Sequence, residues 1–216
     1  TNVMEDGWQA TCAEGGNLVG RRVVPLERQE AIGTSVDPVM LEVFNNLFMS
    51  IAEQMGATLA NTAYSVNIKE RLDFSCAIFD ANGDLVANAP HVPVHLGSMS
   101  ESVRTVLRQN EGKIRPGDVF MMNSPFNGGT HLPDVTVITP VFDDAKQRII
   151  FTVASRGHHA DVGGSAPGSM TTPAPNVNEA VVLFDNFLLL DRGECRAEGM
   201  QTLLYENDLL YLTPPQ

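Results

Sequence analysis

The chain has 216 residues, 43% of them hydrophobic and 19% charged, a globular composition in a length that suits one large domain or one and a half smaller ones. Its net charge of −12 argues against partnership with nucleic acid or an anionic membrane surface, whose phosphates it would repel at long range. Cys12, Cys76 and Cys195 are too few and too widely spaced for a disulfide framework or a Cys-x-x-Cys metal knuckle.

No apolar run reaches the roughly 18 residues that a bilayer span needs. The N-terminal Thr1-Asn2-Val3-Met4-Glu5-Asp6 lacks the basic and apolar regions of a leader, so a cytoplasmic location with reduced thiols is expected. A start at Thr1 instead of Met is what a segment of something longer would show.

Residues 1 to 24 hold two short extended-looking stretches around Gly15-Gly16-Asn17, and the polar run Pro25 to Ser35 reads as a connector. Asp37-Pro38 marks a helix start: an Asp cap, then proline at the first helical position, where its missing N–H costs nothing. Behind it Met40, Phe44, Leu47, Phe48, Ile51, Met55 and Leu59 recur at three- and four-residue steps, an amphipathic stripe expected to be core. Phe74 to Phe79 has strand character, and Asn82-Gly83 favours a tight turn after it. A second helix is predicted to start near Ser98 or Ser100 and to run through Val103, Val106 and Leu107 to Gly112. Val119 to Met122, Val135 to Phe142 and Ile149 to Ser155 read as strands, the last two separated by the polar turn Asp143 to Gln147. Gly163 to Pro175 is rich in Gly, Pro, Ser and Thr and reads as a long loop, and Val181 to Leu190 is apolar again. The order is irregular, with no β-α-β alternation and no repeat. The expected class is therefore α+β, a mixed or antiparallel sheet with long amphipathic helices.

All five histidines fall in three short stretches: His91 and His95 in Pro90 to His95, His131 in Gly128 to Asp134, and His158 and His159 in Arg156 to Asp161. His131 and Asp134, three apart, stand at the mouth of one predicted strand, and the neighbouring strand ends in His158, His159 and Asp161. If those strands are adjacent, both sets converge on one divalent ion, and two imidazoles with a carboxylate and open positions suit a metal that activates water or polarises a carbonyl. The plainer alternative is an Asp134 that caps a turn beside histidines bonded to backbone. Adjacent residues on a strand face opposite ways, so one of His158 and His159 is the candidate ligand and the other an acid/base or supporting group. His91 and His95 are expected to be structural. Asn127-Gly128-Gly129-Thr130 is a candidate nest of backbone N–H groups, and Lys69 to Asp73 carries alternating charges from which Arg71 or Asp73 could turn inward.

Five stretches taken together, Met49 to Gly56, Asn67 to Ser75, Pro93 to Met99, Gly128 to Asp134 and Ala154 to Gly164, resemble the 5-oxoprolinase/hydantoinase B family, in register from about Asp37 to Asp191. Asn2 to Ala10 and Gly16 to Val19 are similar to the closing β-segment of the family's hydantoinase-A-like half. The resemblance thus divides the chain into residues 1–24, the tail of that half, residues 25–36, a linker, and residues 37–216, the N-terminal part of the hydantoinase-B-like domain of a larger multidomain enzyme. From about Gly193 the sequence no longer follows the family pattern.

Such a tail upstream of the B motifs on one polypeptide is how the 5-oxoprolinases of the family are built. The alternatives are an N-methylhydantoinase or acetone-carboxylase type of subunit, or a catalytically silent interaction fragment. The resemblance implies ATP-dependent opening of 5-oxo-L-proline to L-glutamate, within glutathione metabolism. An ATPase half in the same polypeptide, using ATP and Mg, phosphorylates the substrate, the B-like half completes the hydrolysis, and a homo-oligomer is expected. It also implies a divalent metal of unspecified identity on His131, Asp134 and one of the histidine pair, taken forward as His158. Arg156, His159 and Asp161 are then the groups that orient these residues or exchange protons with them.

Overall fold

A computed structural model of the chain describes residues 7–13, 15–24, 37–163, 168–169, 177 and 181–206. It divides into two compact units, Thr1–Pro38 and Val39–Gln216. In the first, β1 (Trp8–Cys12) and β2 (Leu18–Arg22) pair antiparallel, where the two extended stretches are predicted, and the Arg22 guanidinium lies 5.2 Å over the Trp8 ring. The connector at residues 25–36 and most of the Gly- and Pro-rich loop after Gly163 lie outside the described residues.

The second unit carries α1 (Pro38–Thr62, its first residue shared with the first unit) and the short α2 (Val66–Lys69), followed by β3 (Phe74–Asp80), β4 (Leu85–Asn88) and α3 (Pro93–Gln109). Then come β5 (Val119–Met122), β6 (Asp134–Phe142), β7 (Ile149–His158), β8 (Phe187–Asp191), β9 (Glu194–Cys195) and α4 (Ala197–Glu206). The strands form one sheet in the order β4-β3-β7-β6-β5-β8-β9, and every pairing in it is antiparallel. The α+β class expected from the irregular order is the class observed.

Alternation of side chains across the pleat gives the sheet two apolar faces. On one, Met99, Val103 and Val106 of α3 pack on Ala77, Phe79, Phe120, Met122, Ile138 and Ala154. On the other, Met121 and Val135 meet Val182, Phe184 and the partly buried Met200, Leu203 and Leu204 of α4, while Phe74 and Cys76 meet Ile68 of α2 and Met55 and Leu59 of α1.

Three sequence expectations need correction. The α1 stripe is core only towards its C-terminal end, where Met55 and Leu59 are packed against the core, since Phe44, Leu47 and Ile51 are exposed at 42%, 51% and 37%. α3 starts at Pro93, well before Ser98, because its first turn is set by proline at the helix start behind an extended Val92 that offers no side-chain cap. β7 also runs to His158, three residues past its predicted end, which carries the histidine pair onto the sheet.

Met99 has no solvent exposure and sits in the middle of the α3 face. Met99→Ala should therefore cost about 2–5 kcal/mol of unfolding free energy, read as a lower urea midpoint at unchanged m-value.

Candidate metal centre

β6 and β7 are neighbours, and their register sets Asp134 opposite His158 and Thr136 opposite Arg156. Even-numbered residues of both strands face α3, so these four side chains form a polar patch at one end of the α3 core. Asp134 has no solvent exposure. A carboxylate in that position must be surrounded by donors. His158 Nδ1 lies 2.7 Å from its Oδ1, the His131 amide donates to Oδ2 at 3.0 Å, and the Thr130 hydroxyl donates to the same oxygen. His95 Nε2 is 3.4 Å from Oδ2. Burial alone would raise the Asp134 pKa; the bonds from His95, Thr130, the His131 amide and His158 outweigh it and hold the carboxyl well below the usual carboxylate range.

His131, Asp134 and His158 each offer one ligand atom within 4.8 Å of the others, close to the span that one ion with bonds of about 2.0–2.2 Å can bridge. The Asp134 side chain is fully buried, that of His158 is 13% exposed, and that of His131 is 53% exposed, so the cluster opens to solvent on the His131 side. Two imidazole nitrogens and one carboxylate with an open side fit a divalent ion that keeps a position for water or substrate.

The pleat separates the histidine pair. His159 turns to the opposite face, where it lines a cleft of about 380 Å³ with Leu59, Ile68, Val137 and Ser155. Burial, with a further push from His158 and against the pull of Asp134, lowers its pKa. Asp161 lies past the strand end and accepts the Gly163 amide at 2.8 Å, closing its own loop.

Arg156 is fully buried and all its donors are directed at neutral oxygens. Nε reaches Thr136 Oγ1 at 2.7 Å, one terminal nitrogen reaches Ser98 Oγ at 2.5 Å and the His95 carbonyl at 3.3 Å, and the other reaches Ser102 Oγ at 2.8 Å and the Gly128 carbonyl at 2.9 Å. Burial pulls its pKa down to about 10 against the opposing charge of Asp134, so it stays a cation at neutral pH. The loop reaches it because Gly128 has φ +90° and a Cβ there would stand 2.5 Å from the Ser102 amide. The amides of Asn127 and Gly129 both donate to the Ser124 carbonyl, so this loop clamps α3 and does not present the nest considered from the sequence.

His91 and His95, both expected to be structural, part company. His91 accepts the Cys76 amide at Nδ1, 3.0 Å away, and packs edge-on to Phe74 beside Gly56, where a Cβ would stand 2.8 Å from its ring. His95 faces the site, as does Asp73, whose Oδ1 is 3.8 Å from His95 Nε2. Arg71 is exposed. The sequence signal for Asp73 was its place one residue before a buried strand, which left its direction open.

Two predictions follow from these environments. Arg156→Ala strands five acceptors and removes the cation near Asp134, and should lower the unfolding free energy by at least about 3 kcal/mol in urea titration. Burial lowers the His91 pKa, against the pull of Glu53, so on acidification below about 6.5 the unfolded chain takes up a proton that the folded chain resists. Stability should be full above that pH and fall as pH drops through it. The thermal midpoint should therefore decline between about pH 7 and 5.5, and His91→Asn, which keeps an acceptor for the Cys76 amide, should flatten that slope.

The hydantoinase B/oxoprolinase family model matches residues 37–211, continuing past Gly193, where the resemblance read from the sequence stops. The chain is 48% identical to 5-oxoprolinase 1 of Arabidopsis thaliana over 205 residues, 94% of this chain and 16% of that protein. It is 50% identical to 5-oxoprolinase of Saccharomyces cerevisiae over 172 residues, 80% of this chain and 13% of that protein. It therefore spans 13–16% of the length of these curated relatives. Among solved structures, the ATP-dependent caprolactamase from Pseudomonas jessenii aligns with 81% of this chain and 31% of its own at TM-score 0.71 and 25% identity. Acetone carboxylase aligns with 80% of this chain and 24% of its own at TM-score 0.70 and 17% identity, a likeness of fold. With a family match over residues 37–211 and relatives at 48–50% identity, the chain belongs to the hydantoinase B/oxoprolinase family.

Proposed function

We propose that this chain is the hydantoinase-B-like part of an ATP-dependent 5-oxoprolinase that opens 5-oxo-L-proline to L-glutamate. The observation that carries the reading is the convergence of His131, Asp134 and His158 within 4.8 Å in a chain 48–50% identical to proteins named 5-oxoprolinase. Residues 1–24 then close a hydantoinase-A-like ATPase half, residues 25–36 link the halves, and residues 37–216 begin the B-like half, all within one cytoplasmic polypeptide. The match to the Arabidopsis protein supports this order, because it covers 94% of the chain in a single protein.

In this reading the ATPase half phosphorylates the substrate's amide oxygen, and the B-like half receives the activated ring. His131, Asp134 and His158 hold a divalent ion, which when bound supplies Lewis-acid polarisation of the activated group or of the attacking water. Asp134, ionised and enclosed by donors, fixes the imidazoles on either side of it. Arg156 holds α3 and the Gly128 loop against the sheet, which keeps the wall of the site closed to bulk water. His159 works from behind the strand, and Asp161 shapes the loop that follows it.

The test uses the natural full-length polypeptide. Glutamate release from 5-oxoproline should require ATP, and His131→Ala should lower metal content and glutamate release together, by at least about 10-fold. His91→Ala, remote from the cluster, should cost about 1 kcal/mol of stability and keep the metal. Turnover of a hydantoin or a ketone but not of 5-oxoproline would move the substrate elsewhere in the family. Full metal content and turnover in His131→Ala would remove the metal reading.

A further inference from the structure

We propose that His95 is the positioning residue of the centre: a buried imidazole that directs Nε2–H at the Asp134 carboxylate, with the Asp73 carboxylate beside it at ion-pair distance, and holds Asp134 in place without itself being a ligand. The inference rests on the metal reading above.

His95 is 1% exposed and both ring nitrogens are committed. Nδ1 lies 3.3 Å from Ser75 Oγ, on a serine with no solvent exposure. Nε2 lies 3.4 Å from Asp134 Oδ2 and 3.8 Å from Asp73 Oδ1. Two carboxylate oxygens converging on one ring nitrogen require a proton on it, because a lone pair there would be repelled by both. Ser75 can supply what the other nitrogen needs in either case: its hydroxyl donates to Nδ1, or it donates to the Val92 carbonyl at 3.3 Å and its oxygen accepts from Nδ1. The Nε2 proton is thus demanded by the carboxylates, and it withholds the lone pair that a metal would use. His131 differs, with a side chain 53% exposed.

The ring is also held from behind. His95 sits in the first turn of α3, and its carbonyl accepts from the buried Arg156, which also bonds Ser98 and Ser102 further along the helix. On the other side, Leu72 has φ +54°, a left-handed conformation that is unfavourable for leucine, and it turns the chain so that the Asp73 carbonyl accepts the His158 amide at 3.0 Å. Rigid elements therefore fix the imidazole and Asp134, and a constrained turn delivers the second carboxylate. Partners of this kind orient metal-binding groups, and their loss typically weakens metal binding by about 10- to 100-fold.

The two ring nitrogens can be tested separately in the full-length polypeptide. His95→Gln places an amide N–H near the Nε2 position; His95→Asn keeps a polar group towards Ser75 and loses the carboxylates. Co²⁺ binding to the metal-free protein, followed by its visible absorption, reports affinity and coordination without reference to activity, and thermal midpoints of the metal-free variants report the fold. The expected result is a loss of Co²⁺ affinity of about 10- to 100-fold in His95→Asn, recovery towards wild type in His95→Gln, and similar midpoints for the two. Equal, wild-type binding in both variants would make His95 merely structural and overturn the proposal. Equal loss in both, with a spectrum altered as for His131→Ala, would make it a ligand and overturn the proposal too. A wild-type protein that binds no Co²⁺ and no native metal yet releases glutamate would remove the metal reading itself, and this inference with it.

Discussion

A fully buried negative charge governs this structure. Asp134 is enclosed on the α3 face of the sheet, and an ionised carboxylate there is tolerable only if donors replace the water it has lost. Those donors come from separate parts of the chain: the Thr130–His131 turn, the first turn of α3 and the end of β7. The carboxylate therefore draws a loop, a helix and a strand to one point. Two of the residues that satisfy it, His131 and His158, also form the candidate centre with it, so the arrangement of the site and the closure of the fold are one physical requirement.

Arg156 supplies the opposite charge without touching the carboxylate. Thr136 and Arg156 stand opposite each other one same-face step along the strands from Asp134 and His158, and the guanidinium bonds only to carbonyl and hydroxyl oxygens. The pair interacts through the low-dielectric interior, where a charge is felt over more than hydrogen-bond distance. A direct ion pair would have taken up the Asp134 oxygens that the histidines and Thr130 now use. Keeping the cation one step back leaves the carboxylate polarised and available.

Much of this could be read from residues alone. Asp37-Pro38 marks the start of α1, the Val- and Ile-rich runs mark β6 and β7, and histidines at the ends of two adjacent strands point to the cluster at His131, Asp134 and His158. The role of His95 was hidden for a physical reason. Pro90, Pro93 and Gly97 suggest irregular backbone, and α3 lacks the capping side chain that would have announced a helix beginning at Pro93. Only the helical first turn aims His95 at the carboxylates. Arg156 reads from its sequence neighbours as a site residue, whereas its five partners come from 20 to 61 positions away, a long-range enclosure with no local pattern. The exposed part of the α1 stripe shows the complementary limit: periodicity reports an apolar side, and cannot report how much of it a neighbour covers.

The adjacent histidines at the end of β7 make the site depend on parity. A strand shifted by one residue presents its other face, so a single residue deleted between Ile149 and Gly157 would send His158 behind the sheet and bring His159 opposite Asp134, with Arg156 lost from beneath α3. Length changes are harmless only where their offset is absorbed before it reaches this end. The β6–β7 pairing has its one irregularity between Val141 and Phe142, beside the turn and at the far end of the ladder from Asp134 and His158. From there to the centre the pairing is regular, so drift in chain length during descent would be confined to the turn side of Val141.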